Sequence, residues 1–257
     1  MLVTIDVGNT ETKLGCFAAD GGELLQSWRV TTDAKRTADE YGVFFAQLFA
    51  TAELLASDVE TVVIASVVPK LDQTLETACT RYFRCKPLFF KPHRQALIPV
   101  KTDRPGEVGA DLVAAAIGAC DRYGTPLIVI SYGTATVFMA ISQAGEYLGV
   151  AIAPGINISI DALHARTAKL PQIALEAPQR AIGTDTISAL QSGIVYGFVG
   201  QTEALVARIS AELGVNARVI ATGGMAEVVA RHTDIISEVN PHLSLLGLRK
   251  FFLSTKT

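Results

Sequence analysis

Asp6, Gly8, Asn9, Thr10 and Lys13 fall within one short string, Asp6-Val7-Gly8-Asn9-Thr10-Glu11-Thr12-Lys13. Together they supply what a polyphosphate needs: a carboxylate for a divalent cation such as Mg²⁺, a glycine turn with outward N–H groups, and an ammonium. A tight β-turn followed by a surface lysine would look the same. What favours phosphate is recurrence, because Ser131-Tyr132-Gly133-Thr134-Ala135-Thr136 offers a similar polar-glycine-threonine turn about half a chain later. Two further residues have two readings each. Asp111, after Gly109-Ala110, can cap its own helix or act as a base toward a hydroxyl that attacks a γ-phosphate. Thr222-Gly223-Gly224 suits either an adenosine-facing turn or an ordinary helix-capping turn.

Both phosphate-type turns leave a buried strand. Residues 2–5 and 127–130 are short apolar runs, and each turn is followed by another strand, at 13–18 and 135–142. That strand–turn–strand order argues against dinucleotide and P-loop sites, and Gly8 is followed by neither GxxG nor GK[ST]. Residues 24–30, 62–67 and 88–90 complete the strands of the first half, with 147–153 and 217–221 in the second. Thr37-Ala38-Asp39-Glu40 reads as a capping box opening a helix with Phe44, Phe45, Leu48 and Phe49 on one stripe. Pro69 starts another helix, and 110–120, 157–165, 186–210 and 243–251 have helical period. The expected organisation is two α/β halves, 1–118 and 119–257, each restarting the same way.

With 257 residues, 49% hydrophobic and 18% charged, the chain can bury two ordinary cores. A net charge of −3 without charged runs gives no electrostatic case for nucleic acid or an anionic membrane. No apolar run reaches the length of a membrane span, and an immediate strand is not a secretory leader. Cys16, Cys79, Cys85 and Cys120 lack paired spacing, and His93, His164, His232 and His242 form no metal-type cluster. A cytoplasmic protein with reduced thiols is the expectation.

The duplicated pattern resembles the actin-like (ribonuclease H-like) ATPase fold, in which two domains hold a nucleotide in the cleft between them. Within that fold the chain resembles the type III pantothenate kinases. The resemblance runs through Asp6–Lys13, Trp28-Arg29, Arg36–Tyr41, Ala65–Pro69, Pro105–Asp111 and Gly133–Thr136. It continues through Leu148-Gly149, Pro154–Ile156, Thr167–Pro171, Gly183 with Thr186, Gln191–Gly193 and Ala221–Gly224. It implies ATP-dependent phosphorylation of pantothenate to 4′-phosphopantothenate, the first step toward coenzyme A, by a homodimer using Mg²⁺ and a monovalent cation (K⁺ or NH₄⁺). Carried over by motif, Asp6, Val7, Gly8, Asn9, Thr10, Glu11, Thr12, Lys13 and Thr134 would bind ATP, with Asp6 toward Mg²⁺. Asp111 would accept the proton. Gly109, Ala110, Asp111, Leu112 and Thr186 would contact pantothenate. Exposed apolar positions expected on the 186–210 helix agree with a dimer.

Five positions depart from the family pattern. Leu112 stands where an Arg is usual, Thr102 replaces a substrate-facing Tyr, and Ser131 replaces an Asp that binds K⁺. Met139 replaces another Asp, and Thr184 an Arg. A neutral Ser hydroxyl is a poor cation ligand beside a carboxylate. Three readings follow: a pantothenate kinase with substitute groups such as Arg104, His164 or Arg166, a kinase for another hydroxyl substrate, or a nucleotide-binding regulatory relative.

Overall fold

A computed structural model describes residues 1–92, 97–166, 171 and 173–256. His93 and the stretch 167–170 lie outside the described residues. In chain order the first elements are β1 (Leu2–Val7), β2 (Glu11–Phe17), β3 (Leu24–Thr31), α1 (Ala38–Thr51), β4 (Thr61–Ser66), α2 (Pro69–Ala78), β5 (Leu88–Phe89) and α3 (Ala110–Tyr123). They are followed by β6 (Leu127–Tyr132), β7 (Ala135–Ile141), β8 (Tyr147–Pro154), α4 (Ile156–Arg166) and α5 (Thr186–Leu213). The chain closes with β9 (Arg218–Thr222), α6 (Ala226–Ala230), β10 (Glu238–Val239) and α7 (Leu243–Thr255).

Two compact units result, Met1–Arg122 with Leu243–Thr257, and Tyr123–His242. The sequence reading placed the division after residue 118 and left the C-terminal segment in the second half. The last helix instead belongs to the first unit. Its apolar residues Leu243, Leu245, Leu248, Phe251 and Phe252 are buried. Phe251 packs on Phe90 with ring centroids 5.0 Å apart, and Lys250 pairs with Asp121 at 2.7 Å.

The first sheet has the order β3-β2-β1-β4-β5 and the second β10-β9-β6-β7-β8. Read from the other edge, the second repeats the first strand for strand. In each, two antiparallel pairs precede two parallel ones. Central position explains the apolar runs: β1 lies between β2 and β4 and is buried along its whole length.

Local chemistry sets the helices. Thr37 and Glu40 form the expected capping box, the Glu40 amide bonding the Thr37 hydroxyl while the Glu40 carboxylate takes the Thr37 amide. The aromatic stripe of α1 then packs inward, with Phe49 stacked on Trp28 at 5.2 Å and Phe45 on Phe83 at 6.0 Å. In the second unit Asp185 caps α5 in a box with Ser188, and Gly214 ends that helix at φ +67°. Ile194, Val195, Phe198, Val199 and Val206 of α5 are buried, most of them against Ile128, Ile130 and Phe138. The apolar residues expected to be exposed on this helix are thus mostly core. Ile187 at its start stays exposed, and the edge strand β8 presents a further exposed row in which Leu148, Val150 and Ile152 alternate outward, Ile152 with 67% of its surface free.

Candidate active site

Antiparallel register sets Lys13 directly opposite Asp6 on the β1–β2 hairpin, so the two side chains share a face. Lys13 Nζ lies 3.9 Å from Asp6 Oδ2. Asp6 is only 6% exposed, and the Ser244 hydroxyl on α7 donates to the same Oδ2 at 2.5 Å. The other oxygen, Oδ1, is buried without a hydrogen-bond partner. A buried carboxylate oxygen left open is costly unless a cation or ligand meets it.

The turn between the strands is closed by the Gly8 amide donating to the Glu11 carbonyl at 3.0 Å. A side chain at Gly8 would meet that carbonyl oxygen at 2.9 Å. From the end of β3, Thr32 Oγ1 donates to the Gly8 carbonyl at 2.8 Å. Thr32 also lies 2.8 Å from Thr12 Oγ1, so the Thr12 hydroxyl is the donor in that pair. The Thr32 amide reaches the Thr10 carbonyl at 2.9 Å. Val7 and Thr12 are buried and serve the frame, whereas Asn9 and Thr10 form the exposed tip. Arg29 grips Glu11 through two nitrogens at 2.9 and 2.7 Å on the exposed side.

Asp111 lies in the first turn of α3. Its carboxylate folds back over the preceding turn, so that a Cβ at Gly109 would sit 2.5 Å from Asp111 Oδ1. Burial, and next the Asp6 carboxylate, push its pKa up to about 6; first-turn amides and Lys13 pull the other way. Both sequence readings of Asp111 therefore have support, since it faces its helix amides and also shares surroundings with Asp6 and Lys13. Ala110 and Leu112 flank it half-buried, and Thr102 holds a buried hydroxyl without a partner.

In the second unit, Gly133 and Thr134 are exposed at the turn between β6 and β7, and the Gly133 amide donates to the Ala135 carbonyl at 3.0 Å. Gly155 packs flush against this turn, a Cβ there falling 2.2 Å from the Thr134 carbonyl oxygen. Gly223 adopts φ +97° against the Tyr132 backbone, while the cap of α6 falls on Met225 without a side-chain bond. Thr222-Gly223-Gly224 thus serves close approach to the second turn more than helix capping. Ser131 is half-buried beside Thr222, whose hydroxyl is buried without a partner. Thr186 is the exposed first residue of α5, and Thr184 is exposed just before its cap. Met139 is buried at the centre of the sheet, registered with Val129 and Val150. Arg104 pairs with Glu107 on the surface at 3.2 Å.

The family model for type III pantothenate kinase matches residues 2–208. The chain belongs to that family. It is 48% identical to the type III pantothenate kinase of Anaeromyxobacter sp. strain K over 249 residues, 97% of each chain. Against the type III pantothenate kinase of Geobacillus kaustophilus the figure is 44% over 252 residues, 98% of this chain and 97% of the other. Among solved structures it is similar to the inorganic polyphosphate/ATP-glucomannokinase of Arthrobacter sp. strain KM, with TM-score 0.50 and 14% identity over 100% and 99% of the two chains. At that identity the likeness concerns fold alone, the actin-like ATPase and sugar kinase class expected from the duplication.

Two residues that hydrogen-bond to the candidate site, Thr32 and Ser244, escaped the sequence reading. The available signal for Ser244 was a lone hydroxyl in the apolar run Leu243-Ser244-Leu245-Leu246, since a polar group on a buried helix face needs a partner. Among the described residues no cluster of three or more His, Cys, Asp or Glu could hold a metal, and no helix is long and apolar enough to cross a membrane.

Proposed function

We propose that this protein transfers the γ-phosphoryl group of ATP to the terminal hydroxyl of pantothenate, forming 4′-phosphopantothenate and ADP. The observation that carries the residue assignment is the grouping of Asp6, Lys13 and Asp111 in the first unit, with Asp111 pushed up to about 6 and Lys13 registered opposite Asp6. Amides of the Gly8–Glu11 turn and the Lys13 ammonium bind phosphate oxygens, over which the transition state spreads its charge. Thr134 of the second turn is a further ATP contact. Asp111 accepts the proton of the pantothenate hydroxyl as its oxygen bonds to the γ-phosphorus and the bond to the bridging oxygen of ADP breaks. A base titrating near neutrality suits that task. Gly109, Ala110, Leu112, Thr102 and Thr186 are the proposed pantothenate contacts, with the open Thr102 hydroxyl available to a polar group of the substrate.

Mg²⁺ fits at Asp6, because Oδ1 is a buried carboxylate oxygen without a protein partner. When bound there it would neutralise charge on the phosphates. A monovalent cation fits poorly at Ser131, which offers a neutral hydroxyl, and no step is assigned to it. We propose a cytoplasmic homodimer. The four free cysteines and the apolar outer face of β8 support that reading.

Turnover of pantothenate by the wild-type protein and by Asp111→Asn tests the assignment. Loss of about 10²–10⁴ in kcat is expected on removing a general base. An Asn variant turning over at near wild-type rate would remove Asp111 from the role.

A further inference from the structure

We infer that Ser244 is a positioning residue for Asp6, which makes the C-terminal helix a working part of the phosphoryl-transfer site. The inference rests on the reading of Asp6 as the Mg²⁺ carboxylate. Ser244 is 4% exposed and sits near the start of α7, inside an otherwise apolar face. A mid-helix serine can satisfy its hydroxyl on a carbonyl one turn back, but Ser244 is the second residue of α7 and has no turn of its own helix behind it. Ser244 instead donates to Asp6 Oδ2 at 2.5 Å, across 238 residues of sequence. Lys13 Nζ stands 3.9 Å from the same oxygen.

The two carboxylate oxygens are thereby made unequal. Oδ2 is held from α7 and β2, and Oδ1 is left buried and open. With one oxygen pinned, the carboxylate plane cannot turn freely, and Oδ1 stays presented to a cation. Metal ligands commonly depend on such a second partner for their orientation.

The placement of α7 is itself specified. A Cβ on Gly247 would stand 1.7 Å from the Ala114 carbonyl oxygen of α3, and one on Gly118 would stand 2.1 Å from the Leu243 carbonyl oxygen. Only glycine at both positions lets the two backbones come this close. Because α3 begins at the Asp111 turn, the helix that steadies Asp6 also packs against the one that bears Asp111.

The experiment is calorimetric binding of a non-hydrolysable ATP analogue across a Mg²⁺ series, for wild type, Ser244→Ala, Asp6→Asn and Leu248→Val. Ser244→Ala is expected to need about tenfold more Mg²⁺ for half-maximal binding, the low end of the range for loss of a ligand-orienting partner. Leu248→Val, which trims the same helix's buried face, is expected to melt earlier with unchanged Mg²⁺ dependence. Ser244→Cys, nearly isosteric but a weak donor, is read in the same way should the alanine variant fail to fold. If the Ser244 variants keep the wild-type Mg²⁺ dependence while Asp6→Asn loses it, the positioning role is overturned and the Asp6 reading survives. If Asp6→Asn itself keeps it, both fall.

Discussion

Asp111 is held in surroundings that oppose its charge. Burial and the neighbouring Asp6 raise its pKa from 3.8 to about 6, so the folded state binds more protons than the unfolded chain between those values. Stability therefore falls as pH rises through that window, and the full cost is present above about 6. Asp111→Asn is expected to unfold at a higher temperature than wild type at pH 8, by roughly 2–4 °C per kcal/mol relieved, and to lose that advantage near pH 4, as melting curves across pH will show. The same group sets an acidic limb in kcat/KM, which follows the free enzyme, rising with an apparent pKa near 6 and absent in the Asn variant. A flat profile from pH 5 to 8 would contradict the base assignment. Thr32 makes a different kind of contribution, linking Thr12 to the Gly8 carbonyl. Thr32→Val breaks that hydroxyl chain at a cost of about 1 kcal/mol, so the KM for ATP should rise by roughly fivefold with kcat less affected.

At the scale of elements, what the sequence announced was local. Alternation and apolar runs marked the hairpins, the Thr37–Glu40 box marked α1, and glycines marked turns that do make close approaches. That Asp6 and Lys13 stand on two strands joined by a short turn was legible too, and the structure adds the register that sets them opposite each other. The bonds of Ser244 to Asp6 and of Thr32 to Gly8 were not legible, since they depend on tertiary placement and strand-end register. Strand β10, Glu238–Val239, is too short to show a period. The end of the chain was given to the second half because position along the sequence says nothing of which core an apolar helix will cover. Here Gly118 and Gly247 decide, by allowing α3 and α7 to touch backbone to backbone. Gly247→Ala should force the helices apart and lower stability by about 1–3 kcal/mol, measured by urea unfolding. An unchanged midpoint would show that the contact is looser than described.

On the scale of the whole molecule, one five-stranded plan appears twice, and each copy ends its first strand at a glycine-threonine turn. The five departures from the family pattern read differently once placed. Met139 is sheet core and Thr184 is on the surface, whereas Thr102 keeps a buried hydroxyl open. Family membership at 48% identity over 97% of the chain places these substitutions within the kinase lineage. The outer face of β8, with Leu148, Val150 and Ile152, is the proposed self-association surface. Ile152→Glu should shift the protein from dimer to monomer in light scattering, and a dimer unaffected by it would move the interface elsewhere. The most direct measurement is mass-spectrometric detection of 4′-phosphopantothenate from purified protein, ATP, Mg²⁺ and pantothenate. Product equal in amount to the ADP formed, and lost with Asp111→Asn, is the predicted result; ADP without phosphopantothenate, or no turnover by a folded protein that binds ATP, would contradict the account.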